Sequence, residues 1–540
     1  MFRSLNIHLW AVVALTTLAG CDKPETSGAA GESRVVAQES ASSTGPVRIL
    51  SALPPAGTST TEADREGRLA IKRGADYVPI NEDPKTLFDR LERDMSQRRQ
   101  AGWKIVESML APQKLQVDGM TIDVPLWHTW YEGASENAEV NSAIDLYVGN
   151  LKKCRESSCG ERETKIAERT LVEYSTKDLG ESLTRANMNQ TLLQLKNLEE
   201  PDPTGKRAHL GQGITMFSPS FVEHVLTQAR GIEGCELRRE TADTPPHTES
   251  QFSYCLDEFP RSAVMIKTEW SRIDDGSEDR AFDTSGPALE RQLGSLNGKW
   301  RSGKSAGRST STMYSVKADD AVTYGLNAIH FSTKDTREWI WVTLWWDPQP
   351  NNDFGADRPA SINGFNQGVW RNYKMCVTSA FNEMDPAPWK NYEKDYPSLA
   401  ASIKGSFNAM SAAAKASPPP FDKVTSWCSN PYVEGHINND KTNCIGCHQY
   451  SITQSEATSI SPVRKVKFSD TIWLLPSSPP PPIPEKSRAD YAKYFPQLGR
   501  SRIRNNFPAD FAWSTDLEFP EQITNALKKH DFKWDAKESD

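Results

Sequence analysis

Residues 321–348 read AVTYGLNAIHFSTKDTREWIWVTLWWDP, and how this stretch is taken decides the fold. It holds two β-branched and aromatic runs, AVTYGLNAIHFSTK and REWIWVTLWWDP, joined by polar residues that suit a turn. Such side chains fit a pleated, half-buried surface, so the pair reads as a hairpin at the heart of a sheet. Just upstream, RSAVMIKTEWSRI (Arg261–Ile273) alternates and adds a further strand. Alternation sets His330 on the face opposite Ile329 and Phe331, away from the apolar core that those residues predict. Trp339, Trp341, Trp345 and Trp346 read first as core and second as a wall for a flat ligand.

Outward from this centre the pattern changes. Pro84–Leu110 places Leu87, Leu91, Met95, Trp103, Val106 and Met109 at helical spacing, with Asp83 or Pro84 as the start signal, which predicts one or two amphipathic helices. Further helical patterns fall near 178–199 and 219–230. Downstream lie a polar loop, PQPNNDFGADRP, a helical or mixed stretch to Ala414, and PSSPPPPIP from Pro476, a polyproline strut. The fold class is therefore α+β: a mainly helical part over 62–245, an antiparallel β-rich core over 246–415, and an irregular or helical part over 416–475 followed by the strut and tail to 540.

With 540 residues, 37% hydrophobic and 25% charged, the chain has room for one large core or several smaller ones. A net charge of −8, with no basic stripe, argues against nucleic acid as a partner.

The first residues, MFRSLNIHLWAVVALTTLAGC, carry Arg3 and then an apolar run too short to span a bilayer, which reads as a signal peptide over 1–20. Leu18-Ala19-Gly20-Cys21 resembles the bacterial lipobox, which implies acylation of Cys21 and a membrane anchor through lipid. Residues 21–61 are Ser-, Gly-, Ala-, Thr-, Glu- and Pro-rich, a flexible tether. The expected location is the periplasmic side of the inner membrane, since Asp22 resembles a retention signal, with the outer membrane as the other option.

Nine cysteines are present: Cys21, Cys154, Cys159, Cys235, Cys255, Cys376, Cys428, Cys444 and Cys447. Export makes disulfides the expected state. Sequence order suggests Cys154 with Cys159, Cys235 with Cys255, and Cys376 with Cys428, although six cysteines permit about 15 pairings. A bridge from Cys376 to Cys428 contributes roughly 3 to 4 kcal/mol by loop closure and ties the C-terminal part to the body.

Thr442–Ser451 reads TNCIGCHQYS. In C-x-x-C-H the two thiols add to the haem vinyl groups and the adjacent histidine reaches the iron, which predicts one covalent haem c on Cys444, Cys447 and His448. Two rivals stay open. A redox disulfide leaves His448 unexplained. Zinc on Cys444, Cys447 and His448, with Cys428 or His436, needs reduced thiolates where thiols are oxidised.

This segment resembles the attachment site of c-type cytochromes. A wider similarity, carried by VMIKTEWSRI, NAIHFSTKDTREWIWVTLWW and NPYVEGHINNDKTNCIGCH over roughly 250–450, is to bacterial exported proteins with a cytochrome-c-like C-terminal segment. The resemblance implies covalent haem and supplies no activity. Class I cytochromes place an axial Met after the motif, and here no Met follows His448. The distal position then falls to an upstream residue, to His530, or to none. His330 is the first candidate, ahead of His436 and Met375.

Two protein ligands make electron transfer to a redox partner protein the natural role; an open iron site makes a haem oxidoreductase or ligand sensor the alternative. GKWRSGKS (Gly298–Ser305) spells a phosphate loop but lacks the flanking buried strand and apolar helix, so nucleotide is not expected. Asp353-Phe354-Gly355 spells a kinase triplet without its catalytic-loop partners.

Overall fold

The computed structural model describes residues 76–117, 120–133, 139–182, 213–233, 258–273, 279–293, 302–305, 308–317, 323–336, 338–380, 383–416, 426–430, 432–433, 443–448, 510, 512 and 519–535. The leader, Cys21 and its tether, Cys235, Cys255, His436, most of the 178–199 pattern and the Pro-rich strut lie outside these residues.

The fold is α+β around one antiparallel sheet. The helices in chain order are α1 (Pro84–Leu91), α2 (Met95–Leu110), α3 (Glu139–Ser157), α4 (Glu163–Ser182), α5 (Pro219–Thr227), α6 (Gly286–Leu293), α7 (Pro397–Ala416), α8 (Cys444–His448) and α9 (Phe519–Lys529). The strands are β1 (Pro112–Val117), β2 (Met120–Pro125), β3 (Tyr131–Glu132), β4 (Gly213–Phe217), β5 (Val264–Arg272), β6 (Asp279–Phe282), β7 (Ser302–Ser305), β8 (Ser315–Lys317), β9 (Thr323–Thr333), β10 (Ile340–Trp346) and β11 (Tyr373–Thr378). Seven of them form the central sheet, in the order β11-β10-β9-β5-β4-β3, with β8 also on β9. Two separate antiparallel pairs, the hairpin β1–β2 and β6–β7 with α6 between its strands, lie outside it.

The expected hairpin is β9–β10, with Ile340 opposite Thr333 and Thr343 opposite His330. Its turn is held by Asp335, which accepts hydrogen bonds from Tyr77 Oη at 2.8 Å, the Ile80 amide at 2.6 Å and Thr333 Oγ1 at 2.7 Å. The expected helical stretch divides into α1 and α2. Asp83 caps α1 by accepting from the Thr86 amide, and Pro84 fills its first turn. Asp94 caps α2 through the Ser96 and Gln97 amides.

Two parts of the expected layout differ. The stretch read as mainly helical also holds β1 to β4, and β3 and β4 extend the sheet. The mixed stretch before Ala414 contains the edge strand β11. β3 and β4 are short, at 2 and 5 residues, and β11 is buried along its whole length, so none of them shows a clear period of two.

One face of the sheet carries Val264, Ile266, Ile329, Phe331, Val342, Leu344, Tyr373, Met375 and Val377 and packs on α1 and α2. Gly102 of α2 lets that helix sit close to β11, since a Cβ there would press on Val377 and Met375 at 3.1 to 3.2 Å. The other face is covered at two ends. At one end Tyr131, Phe217, Met265, Trp339 and Trp341 pack with α3, α4, α5 and α9. At the other, Ala328, Trp345 and Cys376 pack with α6 and α7. Each large apolar side chain so buried contributes about 1.5–3 kcal/mol.

Candidate functional site

Between those two packs runs one transverse row across four strands: Thr215, Lys267, His330 and Thr343, each paired with the next. Strand β5 is buried on both sides of Lys267, yet Lys267 itself is exposed. Thr215 and His330 are half-buried and Thr343 is fully buried. The row therefore reaches solvent at Lys267, between the two packs.

The CIGCH residues form the short helix α8 beside this row. Cys444 and Ile445 are buried in the same cluster as Trp339 and Trp341. The His448 ring, half-buried, lies 4.2 Å from the Trp341 ring at an interplanar angle of 44°. Of the four tryptophans in the hairpin, Trp341 alone has a ring contact with His448; Trp345 belongs to the α6–α7 pack and Trp346 to the opposite face. The Cys447 side chain lies outside the described residues.

A hydrogen-bonded chain seats this helix. Asn443, fully buried, donates from its amide to the Ser426 carbonyl at 2.9 Å, to Ser426 Oγ at 3.1 Å and to the Ala380 carbonyl at 3.4 Å. The 426–430 segment is fixed in turn by the Cys376–Cys428 disulfide, Cα to Cα 5.7 Å, and by Asn430, which donates to Thr343 Oγ1 at 2.6 Å and to the Leu344 carbonyl at 3.0 Å. Behind Ser426 stands Thr378 Oγ1, which donates to Glu383 at 3.1 Å, and Glu383 is paired with the buried Arg98 at 2.6 Å. Cys154 and Cys159 are also joined, at the end of α3.

His330 and His448 belong to one neighbourhood. Burial pushes the His330 imidazole down to about 3, and nearby Lys267 and His448 act in the same direction, which keeps it neutral near pH 7. A neutral imidazole is the form that can bind iron. Glu269, two residues along β5 from Lys267, is 5% exposed, and its Oε2 has no hydrogen-bond partner. Burial pushes Glu269 up to about 8, with Lys267 pulling weakly the other way.

The structure bears on the other sequence candidates as well. Met375 faces the α2 side of the sheet, opposite the side that holds His330. His530 pairs with Asp145 at 3.0 Å on the α3–α9 surface. Cys428 is engaged with Cys376 and is not a zinc ligand. Among the described residues, no group of three or more His, Cys, Asp or Glu could hold a metal ion by itself. Ser302–Ser305, the end of the phosphate-loop spelling, is the strand β7 paired with β6. Asp353–Gly355 forms a 3-10 turn, and Asp353 is tied to Lys374.

Sequence reasoning missed Asn443, Ser426, Asn430 and Lys267. Lys267 had a signal, being the one charge in the apolar run AVMIKT; the others needed the tertiary path. No family model, no curated protein and no solved structure matches this chain.

Proposed function

We propose that this chain is an exported, lipid-tethered c-type cytochrome-like protein that holds one covalent haem and transfers electrons. Cys444 and Cys447 carry the thioether bonds, His448 is the proximal ligand and His330 the distal one. Covalent haem supplies a one-electron centre whose potential with two imidazoles lies below that of a His/Met pair.

The observation that carries the reading is that His448 packs at 4.2 Å on Trp341, which stands opposite Ser332, two residues from His330 on the same sheet face and more than a hundred residues away in sequence. The donor set fits the group. It offers a half-buried imidazole on the two-thiol turn, a second imidazole that burial keeps neutral, and Trp341 as an apolar wall. Lys267 supplies a positive charge in the same row, suited to the anionic edge of a haem. Anchoring of α8 by Asn443 and the disulfide limits reorganisation, which favours electron transfer. Acylation at Cys21 and the tether hold the body at the outer side of the cytoplasmic membrane. Among the described residues, no helix is long and apolar enough to cross a membrane.

The alternative, an open-iron oxidoreductase or ligand sensor, draws support from the exposure of Lys267, which brings solvent to the row that holds His330. One experiment separates the readings. The chain from residue 22 onward is exported in a host with haem-attachment machinery, and its oxidised and reduced visible spectra are recorded. A sharp reduced α-band that survives acid-acetone extraction is expected, with low-spin features for electron transfer. High-spin features favour the alternative, and fully exported protein without haem overturns both.

A further inference from the structure

A second constellation lies at β11, apart from His330 and His448 and independent of any cofactor. Lys374, Asp347 and Asp353 are 3%, 4% and 5% exposed. The Lys374 Nζ stands 2.9 Å from Asp353 Oδ1, 3.0 Å from its Oδ2 and 3.1 Å from Asp347 Oδ2. Thr284 Oγ1 donates to Asp353 Oδ2 at 3.1 Å. Asp353 is delivered by a backbone in the left-handed region, φ 40°, with its amide bonded to Ser398 Oγ. Trp345, in register with Lys374, and Phe354 form the apolar surroundings.

From this geometry we infer that Lys374 and Asp353 condense spontaneously to an intramolecular isopeptide bond, with Asp347 shuttling the proton.

The amine touches both oxygens of one carboxyl group at 2.9 and 3.0 Å, a buried contact that holds the two side chains together ahead of reaction. In the first step the ammonium returns one proton to the Asp353 carboxylate, leaving a neutral amine and a carboxylic acid. The amine then attacks the Asp353 carboxyl carbon, and the Asp347 carboxylate takes a proton from the new C–N nitrogen. Asp347 gives that proton to the departing hydroxyl, water leaves, and the amide carbonyl reforms. The sum is ammonium plus carboxylate to amide plus water, with Asp347 returned to its starting form and no change of oxidation state.

The surroundings favour this outcome. Burial holds Asp347 above the ordinary carboxylate range, which suits an acid that must hold a proton during the step. Buried ion pairs carry a desolvation cost that an amide of the same atoms escapes. The product adds to the neighbouring tie: Lys374 and Cys376 lie two residues apart on one side of β11. The edge strand is then fastened covalently both to the turn after β10 and to the segment that seats α8.

The test is mass spectrometry of the full chain, reduced and digested, on the peptides bearing Asp353 and Lys374. The expected result is a branched peptide lighter than the sum of its two parts by one water, about 18 Da, and loss of the free Lys374 peptide. In Asp347→Asn, with both reacting residues intact, the two separate peptides should return. Wild-type protein yielding only the two unlinked peptides at full mass overturns the proposal, and so does a link that persists in Lys374→Arg. The wild-type measurement decides alone if a variant fails to fold, and it does not depend on whether haem is bound.

Discussion

Asn443 and Ser426 are joined twice, through the Asn443 amide to the Ser426 carbonyl at 2.9 Å and to its hydroxyl at 3.1 Å. Since Asn443 immediately precedes Cys444, this contact fixes where the two-thiol turn begins. The same contact ends a chain that starts at Arg98 and passes through Glu383 and Thr378.

Asn443→Ala removes these bonds and leaves the Ser426 carbonyl with one donor fewer. A loss of about 1–3 kcal/mol in unfolding free energy is expected, together with a shifted Soret position in haem-loaded protein. Denaturant titration and the visible spectrum check the two effects separately; a change in stability with an unchanged spectrum would remove Asn443 from the seat of α8.

Glu383→Ala strips Arg98 of its partner in a fully buried place. Breaking such a pair costs about 3–5 kcal/mol, well above the cost expected at an exposed ion pair such as Lys85–Asp89. Chemical denaturation of the two variants, Glu383→Ala and Asp89→Ala, gives the comparison.

His330→Ala is expected to turn low-spin iron high-spin in the loaded protein, while Met375→Leu leaves the spectrum unchanged because Met375 lies on the other face. Electron paramagnetic resonance reads both. An unaltered low-spin signal in His330→Ala would remove it as the distal ligand.

Opposed pH slopes are expected from two buried groups. His128 is buried, bonded through Nδ1 to Tyr314 Oη at 2.6 Å, and pushed from 6.5 down to about 3. Below pH 6.5 the unfolded chain binds a proton that the folded one refuses, so stability falls as pH drops from 6.5 toward 3, by about 1.4 kcal/mol per unit. Glu269 runs the other way: pushed from 4.5 up to about 8, it contributes stability in full below 4.5 and loses it as pH rises toward 8. Glu269→Gln should flatten the alkaline limb and spare the acid one, as read from unfolding free energies across pH 4–9.

Cys376→Ala with Cys428→Ala opens a loop with a sequence separation of 52 and should cost about 4 kcal/mol. Thermal unfolding of the double variant checks it, and proteolysis should then begin within 426–448.

Much of this molecule is legible along the chain. Asp83 and Pro84 announce α1, and the polar break between Thr333 and Trp339 marks the β9–β10 turn. The placement of His330 opposite Ile329 and Phe331 follows from strand geometry alone, although the face it occupies is also covered by helices rather than left open. The two disulfides within the described residues follow chain order. What the sequence hides is set by burial and distance. The pairs β3–β4 and β10–β11 involve strands that are short or buried along their whole length, without alternation. The contact of Asn443 with Ser426, and of His448 with Trp341, depends on a chain path between 380 and 443 that no local pattern encodes.

The seat of α8 is made almost entirely from chain that is synthesised before it. The strands of the central sheet end at Thr378, and Ser426 and Cys428 also precede the thiols. A chain made from its N-terminus therefore completes this landing surface before the two-thiol turn is added, and among the described residues Asp510, Ala512 and α9 follow it to close that end of the face. Ile445 can then be buried as soon as it is made, against tryptophans already in place.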